Sequence, residues 1–413
     1  MISKVDITSK KIVLITSGQP SLNPRLVKEA DALIDAGYDV TVIYQYWNDW
    51  ATNLDKKLLA TKKWKYHLVG GSPLVEKMLY LKSRFKFKIA NFFVKNFGLN
   101  TFAEQALGRC TSLLIKKALT IKADLYIAHN LAALPAAIKA GKKNQAKCGF
   151  DAEDFHRNEV SDNLTDFDVI IKTHIENKYI PQLNYLTTAS PLISNAYKKL
   201  YPNLEPLTLL NVFPKQSIIK QKMADSSVLK LFWFSQTIGT NRGLENVIRA
   251  IGKFNAELHL LGNHDDAIKT HFMALANESG LKKDNIHFYK PIPADEIFAF
   301  ASQFDIGLAT ELNTPKNRDI CLTNKIFTYV QGGLAILASS TRAQKLLLEN
   351  FPNMGTVYNQ NNPQSISLAI SNYFKDESLL VYQQAKAKYY ALETLNWDNE
   401  KTKFLTLINQ ILI

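Results

Sequence analysis

The sequence predicts an α/β protein made of two doubly wound, Rossmann-like domains, and three observations support this prediction. Short apolar runs alternate with longer amphipathic ones, a pattern typical of βα units around parallel sheets. The chain has 413 residues, which is too long for one ordinary hydrophobic core. A polar stretch over Pro214–Val228 separates two series of such units, so we expect a linker there.

The first series begins with KIVLITS, which predicts a strand over Lys11–Ser17, followed by a loop and a helix from Arg25 to Ala36. The further strands predicted in this series are Asp39–Gln45, Asp124–Asn130, Lys147–Phe155, Leu186–Ser190 and Leu207–Pro214. The second series has strands in LKLFWFS, AELHLLGN, IHFYKPI, DIGLAT, LAILASS and MGTVYNQ. The segment 396–413 has apolar residues at helical spacing, so the helix that it predicts must bury that stripe on a core.

Composition and charge narrow the class of protein. Hydrophobic residues make up 46% of the chain and charged residues 21%, which fits a soluble globular protein. The net charge of +13 indicates an anionic partner, namely nucleic acid, anionic lipid or a phosphorylated small molecule. The sequence lacks basic clusters interleaved with aromatic residues and lacks a known nucleic-acid module, so we expect no nucleic-acid partner.

The cysteines and the first residues favour a cytoplasmic location. Cys110, Cys148 and Cys321 are far apart and lack metal-type spacing, so we expect reduced thiols rather than disulfides or a metal site. The N-terminal residues lack the long apolar run of a signal peptide, and no stretch of the sequence is long enough to span a bilayer.

Five motifs occur in the order in which one enzyme family has them. They are AHNLAALPAA, FDAEDF, LTTASPLI with NVFP, FSQTIGTNRGLENVIRAIG, and DIGLA followed by NKIFTYVQGGLAILAS. With these motifs the chain resembles, over nearly its whole length, the retaining glycosyltransferases of family 4, which have the GT-B fold. The resemblance implies two Rossmann-like domains facing across a cleft, with the acceptor held by 1–213 and the nucleotide-sugar by 214–395. It also implies that the final helix, 396–413, packs back on the N-terminal domain.

The resemblance further implies an activity. Such an enzyme moves a sugar from a nucleotide-sugar to an acceptor with retention of the anomeric configuration, and the acceptor here would be a cell-surface glycan or a lipid-linked glycan. The nucleotide-sugar, UDP- or GDP-linked, is a substrate, and neither a cofactor nor a metal is expected. Helix N-termini and cationic side chains would stabilise the leaving diphosphate instead.

Two segments of the second series could bind that diphosphate. The loop that contains Gly239, Arg242 and Gly243 lies between a predicted strand and helix, and it offers backbone N–H groups and a guanidinium. Asn324 could cap the helix that follows it, and Lys325 would then place a cation at the positive end of a helix, a conflict that a bound anion would remove. The alternative is a simple turn with a solvated arginine, and a lysine that extends into solvent.

The chain departs from the family at its paired carboxylates. The family pattern E-x7-E would place acids at Ile320 and Thr328, where this sequence has none. We keep Thr328 among the donor-facing positions, and Glu311 and Asp319 are acids that could substitute for the missing pair. The alternative is that these loop acids are only solvated.

In the first series, His129 ends a predicted strand, where open α/β sheets place their ligands. It matches the family histidine that contacts the donor sugar, although a lone histidine can also be a capping or packing residue. Asp151, Glu153 and Asp154 follow the next strand, and one of these acids could orient or deprotonate the acceptor hydroxyl. Glu153 stands where the family usually has histidine, and the nearby His156 could compensate. A surface acidic turn is the alternative interpretation.

The first loop offers one more candidate. Gly18 occupies the place of the family's glycine-rich turn, and with Arg25 it could approach the donor phosphates or the acceptor. A GxGxxG motif is absent from this loop, which argues against a nicotinamide enzyme.

The stretch Lys77–Lys95 predicts a basic amphipathic helix without Asp or Glu. Such a helix can lie on an anionic leaflet, here through Lys82, Arg84, Phe85 and Lys88, which would make the protein peripheral on the inner face of the cell membrane. The alternative is an ordinary helix that covers the first sheet with a lysine-rich outer face.

Two further hypotheses belong to other classes of protein. A nucleotide-sugar epimerase shares the predicted fold. A catalytically silent GT-B subunit that binds a partner glycosyltransferase would explain the missing Glu pair.

Overall fold

The protein, described here by a computed structural model, divides into two compact units. The first unit is Met1–Leu209 together with Lys401–Ile413, and the second is Leu210–Glu400. The residues that the structure describes are 10–99, 102–217 and 228–413.

The bounds of the two units lie close to the predicted ones, 213/214 and 395/396. The predicted linker over Pro214–Val228 is described only at its two ends, because 218–227 lie outside the described residues.

The first unit is built on a seven-stranded parallel sheet. Its strands are β1 (Lys11–Thr16), β2 (Asp39–Gln45), β3 (Lys65–Val69), β4 (Leu125–His129), β5 (Lys147–Ala152), β6 (Tyr185–Thr188) and β7 (Leu207–Thr208). Their spatial order is β3-β2-β1-β4-β5-β6-β7, and every adjacent pair is parallel. The direction of winding therefore reverses between β1 and β4. Doubly wound sheets bind their ligands at the carboxyl ends of the strands beside such a reversal.

Eight helices of the first unit follow these strands within the described residues. They are α1 (Pro24–Asp35), α2 (Asp49–Leu59), α3 (Lys77–Phe97), α4 (Ala103–Leu107), α5 (Thr111–Ala118), α6 (Leu134–Asn144), α7 (Phe167–Tyr179) and α8 (Pro191–Leu200). Short 3-10 turns occur at Pro20–Leu22, Leu131–Ala133, His156–Asn158 and Ile180–Gln182.

The second unit repeats this plan with a six-stranded parallel sheet. Its strands are β8 (Leu229–Thr237), β9 (Ala256–Asn263), β10 (Ile286–Tyr289), β11 (Ile306–Ala309), β12 (Ala335–Ser339) and β13 (Gly355–Tyr358). Their order is β10-β9-β8-β11-β12-β13, with every adjacent pair parallel, so the winding reverses between β8 and β11. The carboxyl ends of β8 and β11 are therefore the ligand-binding edge of this sheet.

The remaining helices follow the strands of the second unit. They are α9 (Leu244–Ile251), α10 (Asp266–Glu278), α11 (Ile297–Ala301), α12 (Lys316–Ile320), α13 (Asn324–Gly332), α14 (Arg342–Asn350), α15 (Pro363–Lys375), α16 (Glu377–Glu393) and α17 (Trp397–Leu412), with a 3-10 turn at Lys283–Asn285. Among the described residues, none of the helices is long and apolar enough to cross a bilayer.

The central strands are buried along their whole length. All residues of β4, β11 and β12 are buried, as expected for parallel strands with both faces covered by helices. This is why the sequence shows continuous apolar runs at these strands rather than an alternation of apolar and polar residues. The three cysteines are free thiols, and their side chains are buried.

The second half of α17 belongs to the first unit. Phe404 and Ile408 are buried in the core cluster that contains Ile12 and Leu14 of β1. Tyr38 donates its hydroxyl hydrogen to Asn409 at 2.6 Å on the same helix. The core of the first unit therefore covers the apolar residues that recur at helical spacing in 396–413.

Two strands differ from the sequence-based prediction. The strand β3 was not predicted, because its residues KYHLV carry mainly exposed side chains at the edge of the sheet and lack an apolar run. The strand predicted over Leu207–Pro214 is only two residues long, since β7 ends at Thr208.

Candidate functional site

The loop after β8 is held against the end of β11. Gly243 has φ +76 and precedes α9, and a Cβ at this position would lie 3.0 Å from Cβ of Thr310, so a larger residue would be strained for two reasons. Thr310 Oγ1 donates to the Arg242 carbonyl at 2.6 Å. These contacts join the two strands beside the reversal and fix the backbone that carries Arg242.

The same loop presents backbone to open space. A Cβ built on Gly239 would have no neighbour within 4 Å, so a ligand atom could approach its backbone closely. Gly243 is the N-cap of α9 and provides no side-chain cap, so the first N–H groups of α9 lack the partner that a cap would supply. Asn241 N–H already donates to Glu245 Oε1 at 3.2 Å. The loop therefore keeps the features that the sequence predicts for an anion site.

Lys325 and Glu311 form a close ion pair at the second strand of the reversal. Lys325 Nζ donates to Glu311 Oε1 at 2.5 Å, and both side chains are 13% exposed. Thr323 Oγ1 donates to the same oxygen at 3.1 Å. Burial opposes ionisation of Glu311, but Lys325, Thr323 and the charge of Arg242 together lower the pKa of its carboxyl.

This pair corrects one expectation and supports another. A bound anion was expected to balance Lys325 at the start of α13, and the Glu311 carboxylate supplies that balance instead. The carbonyl of Arg242 accepts a hydrogen bond from Thr310, the residue before Glu311, so the two predicted cations and the predicted acid lie at the same edge of the sheet. We call Arg242, Glu311 and Lys325 the donor-side cluster.

Two other predicted positions on α13 do not have the expected roles. Asn324 is the first helical residue rather than the cap; the N-cap is Thr323, and it makes no side-chain cap bond. Thr328 is 1% exposed, and its hydroxyl donates to the Asn324 carbonyl at 3.0 Å, one turn earlier in the helix. Its hydroxyl is therefore enclosed and already bonded, and we remove Thr328 from the donor-facing set.

The carboxylate of Asp319 is hydrogen-bonded to Arg342, the first residue of α14. It accepts from the Arg342 backbone N–H at 2.8 Å and from Arg342 Nε at 2.5 Å. With Ser340, Lys345 and Asn359, these two residues line a polar pocket after β12 and β13. The geometry therefore favours Glu311 over Asp319 as the substitute for the missing family acid.

The first unit has a buried charged cluster where the sequence predicts catalytic residues. Arg25 of α1 donates from Nε to Asp151 Oδ2 at 2.5 Å and from Nη2 to Asp151 Oδ1 at 2.7 Å. It also donates from Nη1 to the Leu209 carbonyl at 2.5 Å. Thr187 Oγ1 donates to Asp151 Oδ1 at 2.7 Å. Asp151 therefore has its oxygens bonded within the protein.

His129 lies between two carboxylates of this cluster. Its side chain is 0% exposed, with Nε2 at 3.2 Å from Glu29 Oε2 and Nδ1 at 3.4 Å from Asp151 Oδ2. Glu29 is buried as well, and its Oε1 lies 3.6 Å from Arg25 Nε. We call Arg25, Glu29, His129 and Asp151 the buried quartet.

Close charged neighbours within the quartet shift the pKa values of His129 and Asp151. Burial alone would lower the pKa of His129, but Glu29 and Asp151 outweigh it and raise that pKa. Burial likewise opposes ionisation of Asp151, whereas the Arg25 guanidinium holds the pKa of its carboxyl below the ordinary value. Within the quartet, His129 and Arg25 thus face the carboxyl groups of Glu29 and Asp151.

This geometry corrects the predicted roles of His129 and Asp151. Both side chains are enclosed and face charged partners, so neither is exposed to a substrate. Asp154, the third predicted catalytic residue, is half-buried on the loop after β5. His156 does not replace the missing family histidine, because it is buried, stacks on Phe150 and faces Glu159 Oε2 at 3.3 Å.

Glu153 follows β5, is not a member of the quartet and has a raised pKa. It is half-buried, and burial together with the Asp151 charge raises its pKa to about 7. On α1, burial and the Arg25 charge lower the pKa of Lys28 to about 7. Glu153 is one of the three acids that the sequence offers after β5, whereas Lys28 and Glu29 were not predicted. The spacing of Arg25 and Glu29, four residues apart beside the apolar Leu26 and Ala30, was the available signal for a buried pair.

Gly18 sits at the reversal between β1 and β4. Its N–H donates to Thr16 Oγ1 at 3.1 Å, and Thr16 in turn donates to Asn130 Oδ1 at 2.7 Å. Its carbonyl accepts from the Gln45 N–H at 3.3 Å. Gly18 is thus tied into the carboxyl ends of β1, β2 and β4, the expected place for a ligand-binding loop.

Two groups of histidine and carboxylate atoms among the described residues are close enough for a metal ion. One is Glu29, His129 and Asp151, which are buried members of the quartet. The other is Glu257, His259 and His287 on β9 and β10, where the two imidazoles stack at 4.4 Å. His259 is bonded at both ring nitrogens, to Tyr289 and Glu257, at 3.0 Å and 3.1 Å.

Comparison with known proteins shows the fold and not the family. No model of a protein family matches the chain, and no curated protein matches it. Solved structures do match along almost the whole length. HepE of Anabaena, solved in complex with UDP and glucose, is 14% identical with a TM-score of 0.68, over 97% of this chain and 100% of that one.

Two other structures show how different the functions of this fold can be. The lipopolysaccharide outer core galactosyltransferase WaaB is 12% identical with a TM-score of 0.61, over 97% of this chain and 99% of that one. A Listeria monocytogenes chain described as a UDP-N-acetylglucosamine 2-epimerase is 10% identical with a TM-score of 0.60, over 97% and 96%. The chain therefore has the GT-B fold, which hosts both transferases and epimerases.

Proposed function

We propose that this chain is a retaining glycosyltransferase of the family 4 type, which transfers a sugar from a UDP- or GDP-linked donor to a cell-surface or lipid-linked glycan. The second unit would bind the nucleotide-sugar and the first unit the acceptor. The observation that carries this proposal is the donor-side cluster, in which Arg242 and Lys325 act on Glu311 at the reversal of the second sheet.

The donor-side cluster has the charges that a diphosphate requires. Arg242 offers a fork of N–H donors, and Lys325 offers a point charge beside the N-terminus of α13. The first turn of α9 adds backbone N–H groups next to Arg242. Glu311, as an ionised acceptor, is suited to a hydroxyl of the ribose or of the donor sugar.

In the reaction, the bond between the anomeric carbon and the diphosphate oxygen breaks, and its electron pair leaves with the diphosphate. The acceptor hydroxyl oxygen attacks the same face through an oxocarbenium-like transition state, so the configuration is retained. Arg242 and Lys325 stabilise the charge that develops on the leaving oxygen. Glu153 or Asp154 orients the acceptor hydroxyl, and with its pKa at about 7 Glu153 can hold the released proton.

Isothermal titration with UDP, GDP, ADP and their sugars tests the proposal. We expect one nucleotide to bind and its affinity to fall about tenfold or more in Arg242→Ala and in Lys325→Ala, since each loses a hydrogen bond to a charged group. Arg249→Ala and Lys375→Ala, which change exposed cations of the same unit, should bind as the unchanged protein does. Retained affinity in both cluster variants would contradict the proposed donor site.

Two other functions have an observation in their favour. The Listeria chain supports a nucleotide-sugar epimerase, and an epimerised sugar formed from the donor without any acceptor would establish it. The two positions where the family has acids are occupied here by Ile320 and by the enclosed Thr328. The absence of both acids supports a catalytically silent subunit. Failure of every nucleotide to bind would favour that subunit over both enzymes.

A further inference from the structure

The outward face of α3 carries an unusual row of exposed apolar side chains. Met78, Phe85 and Phe92 recur every seven residues and are 78%, 64% and 57% exposed. Leu81 lies between the first two and is exposed as well. Residues at this spacing share one face of a helix, so these side chains form one continuous stripe. We call Met78, Leu81, Phe85 and Phe92 the apolar stripe.

The opposite face of α3 is the one that packs on the first unit. Ser83, Ala90 and Val94 are its buried residues, and Ala90 and Val94 belong to a core cluster with Ala106 and Ile171. With 100° per residue, these positions lie about half a turn away from the apolar stripe. The helix is therefore apolar on two sides, and among the described parts of the chain a core cluster covers only the side with Ala90 and Val94.

Basic residues flank the apolar stripe along its length. The six cations of α3 are Lys77, Lys82, Arg84, Lys86, Lys88 and Lys95, and the helix contains no Asp or Glu. By helical geometry, Lys82 and Lys86 project on one side of the stripe and Lys88 on the other, and all three are exposed. The nearest acid in sequence is Glu76, the residue before the helix.

Exposed apolar residues continue the stripe at both ends of the helix. Leu74 and Val75 precede the helix and are 84% and 59% exposed. At the far end, Phe93 and Phe97 contact each other, with ring centres 5.6 Å apart, and Phe97 is exposed. Many large apolar side chains are thus exposed along and beside one helix, and such a concentration marks an interaction site.

We propose that this face of α3 docks the protein on an anionic lipid surface. An apolar stripe bordered by cations on both sides fits a bilayer, where apolar side chains enter the acyl boundary and cations meet the headgroups. A second copy of the chain is a poorer occupant, because pairing two such faces brings two sets of six cations together without an acid on either helix. The proposal is independent of the glycosyl transfer proposed above.

The position of α3 connects membrane docking to the ligand edge of the first sheet. Tyr80 of α3 packs edge to face against Tyr46, which follows β2, with ring centres 5.7 Å apart. Arg109 donates to Ser83 of α3 and also to the carbonyls of Gly70 and Tyr46. The helix is thus anchored to the carboxyl ends of β2 and β3, so a docked protein holds this edge near the lipid surface.

Flotation of the full-length protein with vesicles tests the proposal. We expect binding to vesicles of phosphatidylcholine mixed with phosphatidylglycerol, little binding to phosphatidylcholine alone, and weaker binding as salt rises. Changing Lys82, Lys86 and Lys88 together to Gln should lower the partition coefficient about a hundredfold. Phe85→Ser with Phe92→Ser should lower it by at least about tenfold.

Matched controls separate this surface from net charge. Changing Lys282, Lys283 and Lys290 together to Gln removes as many exposed cations from the second unit, and this variant should float as the unchanged protein does. Equal binding to neutral and anionic vesicles, or equal loss in both triple variants, would overturn the proposal. So would a dimer, seen by sedimentation velocity, that dissociates in the Phe85→Ser, Phe92→Ser variant while vesicle binding is absent.

Discussion

The two units place charged clusters at equivalent points of their sheets, beside the reversal of winding, but the clusters differ in burial. In the first unit, Arg25 and Asp151 are almost fully enclosed and bonded to each other. In the second unit, Lys325 and Glu311 keep about an eighth of their side-chain surface exposed. A fully buried cluster holds strands and helices in place, whereas a partly exposed one can exchange its internal partners for a ligand. We therefore expect the charged cluster beside the reversal to stabilise the fold in the first unit and to bind a ligand in the second.

Breaking the buried quartet should produce the largest effect on stability. Arg25→Met leaves Asp151 buried without its counter-charge, and the free energy of unfolding should fall by about 3–5 kcal/mol. Chemical denaturation followed by circular dichroism measures this loss. In the double variant Arg25→Met, Asp151→Leu, no unpaired charge remains from this pair, and much of the loss should be recovered.

An exposed ion pair in the same unit is the control for this measurement. Lys65 pairs with Asp39 at 3.0 Å on the surface, and Lys65→Met should cost no more than about 1 kcal/mol. If Arg25→Met costs no more than Lys65→Met, the quartet does not hold the first unit together.

The donor-side cluster should instead respond in ligand affinity. Lys325→Ala should weaken nucleotide binding by about tenfold or more, whereas Glu311→Gln should weaken it less, because the lost contact with a sugar hydroxyl is offset by removal of the carboxylate that competes with phosphate for Lys325. Calorimetric titration with the nucleotide that binds measures both. Equal weakening in the two variants would show that the pair acts as a structural unit, like the quartet.

The free energy of unfolding should depend on pH through Glu153 in the first unit. Because its pKa is raised from 4.5 to about 7, the folded state binds the proton more tightly than the unfolded state does. The resulting stability is fully present below pH 4.5 and is lost as the pH rises through about 7. Glu153→Gln cannot ionise, so above pH 7 it should be more stable than the unchanged protein by roughly 1–2 kcal/mol.

Thermal unfolding at pH 5 and pH 8 measures this difference. The gain of Glu153→Gln should be small at the lower pH and larger at the higher one. Glu349→Gln, which changes an exposed carboxylate of the second unit, serves as the control and should show no such trend. A gain that is equal at both pH values would mean that Glu153 is not buried against the Asp151 charge.

The smallest effect is expected at Thr328. Thr328→Val removes one hydroxyl that donates to the Asn324 carbonyl, so the free energy of unfolding should change by about 1 kcal/mol or less. Nucleotide affinity should not change, because the side chain is enclosed. A loss of affinity in titration would return Thr328 to the donor-facing set.

The sequence by itself determined the architecture of both units. Segments such as DVTVIYQ and AELHLLGN predicted two strands at their full observed bounds, because strands buried on both faces are rich in apolar residues. The spacing of apolar residues also predicted that 396–413 needs a core to cover it. The strand β3 was missed, since an edge strand with exposed side chains lacks this signal.

Only the tertiary structure decided which charged residues are partners. The sequence drew attention to His129, Asp151, Glu311 and Lys325, but it could not show that α1 brings Arg25 and Glu29 onto the first pair. Residue spacing along the chain carries no information on contacts between residues more than a hundred positions apart. Burial and ion pairing, which set pKa values and leave a side chain open or closed to a ligand, depend on those contacts. For this reason the enclosure of His129 and Asp151 and the raised pKa of Glu153 follow only from the tertiary structure.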